Sequence, residues 1–365
     1  MKKHLLFVGN RFINNVPLQR YITRSVKEKL GHIEQITYYQ DSDNALFLYL
    51  DQLLKEEIKL IIITTKNSAA VVGKLLSTIS SDNQILKDNM LIPSRTTIFE
   101  EGSYLIEHDK ARVNVIIATE NQTLPSIIMD DEKKVAKIHV FDENDASVKM
   151  LLEPLAQSFE IRLDLATIVE GWVEVSIQSR KYGNIAQFIG AAKQLLHHKL
   201  IASNNIIAFI IERLSHHNKR LTFAESCTGG LLAYFFTHES GASNVFEGSL
   251  VTYSNALKAN WLAVDDSVIE TYGAVSLEVV SEMSEGALNV SYADYALAIS
   301  GIAGPDGGTQ EKPVGTVCIS ARSKNSVKHE RIQLFGDRNY IQEQSAFYAI
   351  KMLLLIDKEL FFKDS

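Results

Sequence analysis

Residues 58–65 read Ile-Lys-Leu-Ile-Ile-Ile-Thr-Thr, an extended run that is apolar and β-branched on both faces. A strand of this kind has to be covered on both sides, which is the situation of a parallel sheet sandwiched between helices. Residues 5–8, 113–118 and 138–141 have the same character. Between the first two strands, Leu18, Ile22, Val26 and Leu30 recur at helical spacing, with Pro17 where a helix start tolerates it and Gly31 where a helix end prefers it. The expectation is a parallel-sheet α/β domain over residues 1–150.

Two further domains are expected behind it. Short strands near 161–165 and 173–177 precede a helix over 185–196, which suits a small α+β connector spanning 151–202. An amphipathic stretch at 205–214, with Ile206, Ile210 and Leu214 on one face, opens a C-terminal α/β domain over 203–365. The fold class is therefore multidomain α/β. Apolar residues make up 46% of the chain, enough to fill real cores and to exclude wholesale disorder.

Charge and cysteine content narrow the function. Lys and Arg total 37 against 44 Asp and Glu, a net −7 that argues against a general nucleic-acid binder while leaving room for a local basic pocket. Two cysteines, Cys227 and Cys318, give no disulfide framework and fit a reducing compartment. The basic start is followed by an apolar run too short for a signal peptide, and no stretch approaches the ~20 apolar residues of a membrane span. A cytoplasmic protein is expected. Adjacent pairs His197-His198 and His216-His217 do not share a helix face or carry zinc spacing, so no metal or cofactor is expected.

Twelve of the 19 glycines fall from Ser215 onward, which directs the search for chemistry to the last third. In Leu221-Thr222-Phe223-Ala224-Glu225-Ser226-Cys227-Thr228-Gly229-Gly230, a strand runs into a turn and then a helix expected to start near Thr228. Ser226 and Cys227 stand on that corner, beside N–H groups able to hold an oxyanion or a phosphate. The plainer alternative is a helix cap with glycines that merely allow close packing.

In Val251-Thr252-Tyr253-Ser254-Asn255-Ala256-Leu257-Lys258, Asn255 can cap a helix that carries Lys258 in its first turn. The helix dipole disfavours a cation there and lowers its pKa, and a partly neutral lysine can act as a base for a serine. The alternative is a solvated lysine beside a packed tyrosine. Residues 300–308, Ser-Gly-Ile-Ala-Gly-Pro-Asp-Gly-Gly, form an open glycine loop without P-loop or dinucleotide spacing. Gly336-Asp337-Arg338 offers an N-cap and an arginine that could reach an anion, or simply a surface arginine. Only His238 and His329 lie beyond Ser226, so serine with lysine or tyrosine is better supplied than a Ser-His-Asp triad.

These segments, together with Lys312-Pro313-Val314-Gly315-Thr316-Val317, resemble the C-terminal domain of the CinA family, the nicotinamide mononucleotide amidase fold. Five segments match in order between residues 224 and 338. The resemblance implies hydrolysis of the carboxamide of nicotinamide mononucleotide to nicotinate mononucleotide and ammonia, in pyridine nucleotide salvage. It implies Ser226 as nucleophile, assisted by Lys258 and Tyr253, with Arg338 meeting the phosphate. Cys227, Thr228, Gly229, Gly230, Asn255, Ser300, Gly301 and Gly304 would line the substrate site, and N–H groups at 227–230 would be oxyanion donors. Cys227 ranks second as nucleophile. Family precedent also implies a homodimer.

Upstream, residues 1–140 resemble a shortened, divergent form of the family's molybdopterin-binding-like domain, which in some members cleaves ADP-ribose. The family's Gly-Thr-Glu is Gly9-Asn10-Arg11 here, its acidic glycine loop is Lys66-Asn67-Ser68-Ala69-Ala70, and its Leu-Pro-Gly-Pro-Pro is Ala118-Thr119-Glu120-Asn121-Gln122. Carboxylates to hold metal against a diphosphate are missing at those places, so a catalytically silent N-terminal domain is expected. The rival readings are an ADP-ribose pyrophosphatase and a non-enzymatic competence-related partner protein.

Overall fold

A computed structural model describes residues 1–41, 43–129 and 135–363 of the chain. It divides into two compact units, Met1–Lys134 and Val135–Ser365.

The first unit runs β1 (Lys2–Val8), α1 (Asn10–Asn14), α2 (Val16–Leu30), β2 (Gln35–Tyr39), α3 (Ala45–Leu53), β3 (Ile58–Thr64) and α4 (Lys66–Ile79). It continues with β4 (Gln84–Lys87), β5 (Met90–Pro93), β6 (Ile98–Glu100), β7 (Ser103–His108) and β8 (Ala111–Ile117). Six strands form a sheet in the order β2-β1-β3-β8-β7-β6, and β4 pairs with β5 apart from it. Strands β1, β2, β3 and β8 are parallel, as the apolar runs predict, whereas β7 and β6 turn back antiparallel at one edge. Every residue of β3 is buried. Leu60 and Ile62 share a core with Leu6, Val8 and Val72, while Ile61 and Ile63 pack on the other face with Phe7, Ile22 and Val26. Beyond the carboxyl ends of β1, β3 and β8, Arg11, Thr65, Lys66, Asn67 and Glu120 line a cavity of 180 Å³.

The second unit holds two sheets. The smaller comprises β9 (Val135–Phe141), β10 (Ile161–Val169), β11 (Trp172–Ser179) and β12 (Leu200–Ala202), with α5 (Asp145–Ser158) and α6 (Ile185–Leu196). Its order is β10-β11-β9-β12, antiparallel throughout. The reading of residues 138–141 as a strand of the N-terminal parallel sheet, and with it the placement of residues 135–150 in that domain, is corrected here. Strand β9 is central, and its two faces are covered by different cores. Ile138 and Val140 meet Val148, Leu152 and Phe188, while Phe141 joins Trp172, Ile201 and the larger core beyond. Coverage on both faces explains the apolar run without parallel pairing.

The larger sheet comprises β13 (Leu221–Glu225), β14 (Phe246–Val251), β15 (Tyr295–Gly301), β16 (Thr316–Ser323) and β17 (Val327–Gln333). Its helices are α7 (Ile206–His216), α8 (Leu231–Thr237), α9 (Asn255–Leu262), α10 (Asp266–Tyr272), α11 (Leu277–Ser291), α12 (Arg338–Ile356) and α13 (Lys358–Phe362). The order is β14-β13-β15-β16-β17, with β13 parallel to both neighbours. Leu221 and Phe223 pack with Ile210 of α7 and Phe236 of α8, whereas Ala224 faces Leu262, Val279 and Met283. The chain thus winds to opposite faces on leaving β13 and β14. The carboxyl ends of parallel strands at such a reversal are the usual ligand position of an open α/β sheet.

Helix α12 crosses this unit with buried residues on every side, including Ile341, Ser345, Ala346, Ile350 and Leu354. Gln344 Nε2 donates to Ile168 O at 3.1 Å, and Lys351 Nζ donates to Glu170 O at 2.7 Å. The helix is thereby fastened to the β10–β11 turn of the smaller sheet. Among the described residues no helix is long and apolar enough to cross a membrane.

Candidate active site

Strand β13 ends on Glu225, whose side chain is fully buried. Its Oε2 accepts from the N–H groups of Gly230 and Leu232 at 3.0 Å each, and its Oε1 accepts from Ala233 N and Ser249 Oγ at 2.9 Å each. The carboxylate therefore caps α8 from within, satisfying donors a helix start would otherwise leave open. Helix α8 begins at Leu231 rather than near Thr228. Gly229 and Gly230 have φ of +61° and +98°, a left-handed pair that only the lack of a Cβ makes easy and that delays the helix.

Ser226 follows directly. Its N–H donates to Ile299 O on β15 at 3.0 Å, which fixes the corner between the strands. Its Oγ lies 3.0 Å from Lys258 Nζ. Lys258 is only 1% exposed and stands on α9, whose cap is Ser254 rather than Asn255, the Ser254 hydroxyl accepting from Leu257 N. The same Nζ lies 2.9 Å from Thr252 O and 3.5 Å from Tyr253 O. Burial pushes the Lys258 amine below its ordinary pKa, against an opposing pull from the Cys227 sulfur. Burial acts oppositely on Cys227, whose thiol is pushed up to about 12. At neutral pH this leaves a thiol beside an amine-paired hydroxyl, and the hydroxyl is the better candidate nucleophile.

A second cluster lies beside the first. Arg338 opens α12 behind the Asp337 cap. It donates from Nη1 to Gly304 O at 2.6 Å and from Nη2 to the Tyr253 hydroxyl at 2.9 Å. Tyr253, 60% exposed, thus offers its hydroxyl to Arg338 and only its carbonyl to Lys258. One turn along α12, Gln342 Nε2 donates to Cys227 O at 2.6 Å. Gly301 lies against Cys227, where an added Cβ would come 3.0 Å from Sγ.

Of the residues singled out from sequence, the structure joins Ser226, Cys227, Lys258 and Gly301 in one cluster and Tyr253, Gly304 and Arg338 in another. Ser300 Oγ instead donates to Ala274 O at 2.7 Å, and Asn255 is exposed at the start of α9. Gly229 N–H donates to Ser226 O and Gly230 N–H to Glu225, so neither is open to an oxyanion. Thr228 and Thr252 each carry a buried hydroxyl without a partner.

Three participants escaped the sequence reading: Glu225, the Thr252 carbonyl and Gln342. Gln342 had a signal, since it lies four residues beyond Arg338 and so shares its helix face. Glu225 had none, because a carboxylate at the end of an apolar strand does not announce four donors.

Residues 203–356 match the CinA C-terminal domain family. A CinA-like protein of Fervidobacterium nodosum is 46% identical over 144 residues, which is 40% of this chain and 35% of that protein. A CinA-like protein of Colwellia psychrerythraea is 33% identical over 255 residues, 66% of this chain and 57% of that one. The chain thus spans between about a third and three fifths of the length of these curated relatives. Among solved structures, the competence/damage inducible protein CihA from Agrobacterium tumefaciens is 36% identical, covering 42% of this chain and 96% of its own, with a TM-score of 0.41.

Proposed function

The chain belongs to the CinA family through its C-terminal domain, and we propose on that footing that it hydrolyses the carboxamide of nicotinamide mononucleotide to nicotinate mononucleotide and ammonia. The observation that carries this reading is the buried Lys258 amine 3.0 Å from the Ser226 hydroxyl. In its neutral form the amine has two N–H groups, which the Thr252 and Tyr253 carbonyls can take, and one lone pair left for the Ser226 proton.

An amide is a poor electrophile, so the nucleophile, the oxyanion and the leaving nitrogen all need help. Ser226 Oγ attacks the carboxamide carbon as its proton passes to Lys258 Nζ, and the carbonyl electron pair moves onto oxygen. When the tetrahedral centre collapses, the C–N bond breaks and the nitrogen takes the proton from Lys258, leaving as ammonia. Water then attacks the ester with Lys258 again as base, releasing the carboxylate and restoring the serine. Arg338, held in place by Gly304 O and the Tyr253 hydroxyl, is the seat for the substrate phosphate. In this scheme Tyr253 acts by orienting Arg338, and no step requires a metal or cofactor.

The proposal extends to a cytoplasmic homodimer whose N-terminal unit does not turn over ADP-ribose. Two buried free thiols support the reducing compartment. The cavity beyond β1, β3 and β8 sets one carboxylate, Glu120, against the cations Arg11 and Lys66, with Arg11 Nη1 3.3 Å from Glu120 Oε2, where a metal against a diphosphate would need several free carboxylates. The deciding experiment measures ammonia release from nicotinamide mononucleotide by the full chain and by Ser226→Ala, without added metal. Activity lost with Ser226 is expected; no activity in the unaltered chain would overturn the reading.

A further inference from the structure

We propose that Gln342 is a positioning residue that sets the orientation of the Cys227–Thr228 peptide and so makes the Thr228 N–H an oxyanion donor at Ser226. The inference rests on the reading of Ser226 as an acyl-transfer nucleophile.

Donors in the 226–230 turn can be accounted for one by one. Ser226 N–H is taken by Ile299 O, Gly229 N–H by Ser226 O, and Gly230 N–H by Glu225. Among the described residues, the N–H groups of Cys227 and Thr228 reach no protein oxygen. The start of α8, the obvious place for an anion, is already filled by the Glu225 carboxylate. Within this turn, an oxyanion formed at Ser226 is therefore left with the two N–H groups that immediately follow it.

Orientation decides whether such a group is useful. The 227–228 peptide is trans, so its C=O and N–H point in opposite directions. Gln342 Nε2 holds the Cys227 carbonyl at 2.6 Å, which turns that oxygen toward α12 and the Thr228 N–H away from it. Without this donor, nothing described holds the carbonyl, and a flipped peptide would present an oxygen to the oxyanion instead of a hydrogen. The unpartnered Thr228 hydroxyl, buried at the same residue, marks a polar spot with donor capacity unused by the protein. Arg338 and Gln342 lie one turn apart on α12, so a single helix would hold both the substrate seat and the oxyanion seat.

The test uses the full chain and the variants Gln342→Met, Gln342→Glu and Gln342→Arg. The first two keep the length but lose the donor, and the third restores one. A fluorophosphonate is the probe, because attack by Ser226 drives its phosphoryl oxygen into the oxyanion position. Its rate of reaction with Ser226 is followed by intact mass, beside kcat and KM for nicotinamide mononucleotide and circular dichroism to verify folding. Gln342→Met and Gln342→Glu should label and turn over on the order of 10²-fold more slowly with KM within twofold, and Gln342→Arg should recover most of both. Labelling within twofold of the parent in folded Gln342→Met overturns the proposal. So does a Gln342→Arg variant as slow as Gln342→Met, or a parent chain whose Ser226 does not react. A parent that labels but releases no ammonia refutes the substrate reading alone, and the labelling rates then decide this one.

Discussion

Lys258 Nζ and Ser226 Oγ sit 3.0 Å apart at the carboxyl end of the larger sheet, in a spot where the lysine is 1% exposed. A buried amine is costly to fold around and chemically useful for the same reason: it gives up its proton more easily.

Replacing this amine should therefore separate activity from stability. Lys258→Met is expected to lower kcat by roughly 10²–10⁴-fold, the usual worth of a positioned base, while raising Tm. Ser226→Ala should abolish turnover with little change in Tm. Thermal melts read beside ammonia release would expose an error if Lys258→Met melted below the parent.

The pH dependence follows from the direction of the Lys258 shift. Its folded pKa is depressed below 10.5, so between the folded value and 10.5 the unfolded chain holds a proton that the folded chain lacks. Over that window stability from this group rises with pH, and kcat/KM falls as pH drops through the folded value. Urea midpoints and pH–rate profiles measured on the parent and on Lys258→Met would test both signs. A parent profile flat down to pH 5 would count against lysine as the base.

Cys227 should be inert. With its thiol pushed up to about 12, alkylation by iodoacetamide at pH 8 is expected to leave it unmodified in the folded chain and to modify it once urea unfolds the protein. Rapid alkylation of folded protein, mapped to residue 227 by peptide mass, would restore the cysteine as a rival nucleophile.

Arg338 should act on binding more than on chemistry. Arg338→Gln removes a charged partner for phosphate, so KM for nicotinamide mononucleotide should rise by on the order of 10-fold or more. KM for nicotinamide riboside, which lacks the phosphate, should barely move. Tyr253→Phe deprives Arg338 of one of its two acceptors and should produce a smaller effect in the same direction. Equal losses on both substrates would contradict a phosphate seat.

Much of this architecture is readable from local pattern, and the exceptions have physical causes. The run at 58–65 correctly announces a strand covered on both faces, and the spacing of Ile206, Ile210 and Leu214 announces α7. Residues 138–141 mislead because burial on two faces says nothing of strand direction, which is set by partners distant in sequence. At the site, Ser226, Lys258 and Arg338 stand in motifs, and Gln342 is reachable only through its place one turn beyond Arg338. The Glu225 carboxylate, by contrast, meets three backbone N–H groups and the Ser249 hydroxyl, a set of partners that no residue pattern encodes. The shift of the α8 start from 228 to 231 comes from the left-handed Gly229-Gly230 pair, with the Glu225 carboxylate taking the N–H groups of the helix that starts behind it.

The fastening of α12 to the β10–β11 turn makes the family domain hard to sever from what precedes it. A cut at 203 would strip Gln344 and Lys351 of the carbonyls of Ile168 and Glu170 and leave Phe347 and Phe362 without Trp172 and Phe141 to pack against. The loosened rod would be the one that presents Arg338 and Gln342. A shortened form of this chain would keep Ser226 and Lys258 and lose the scaffold that aims Arg338 and Gln342, so the natural cleavage line for protein engineering lies ahead of Val135.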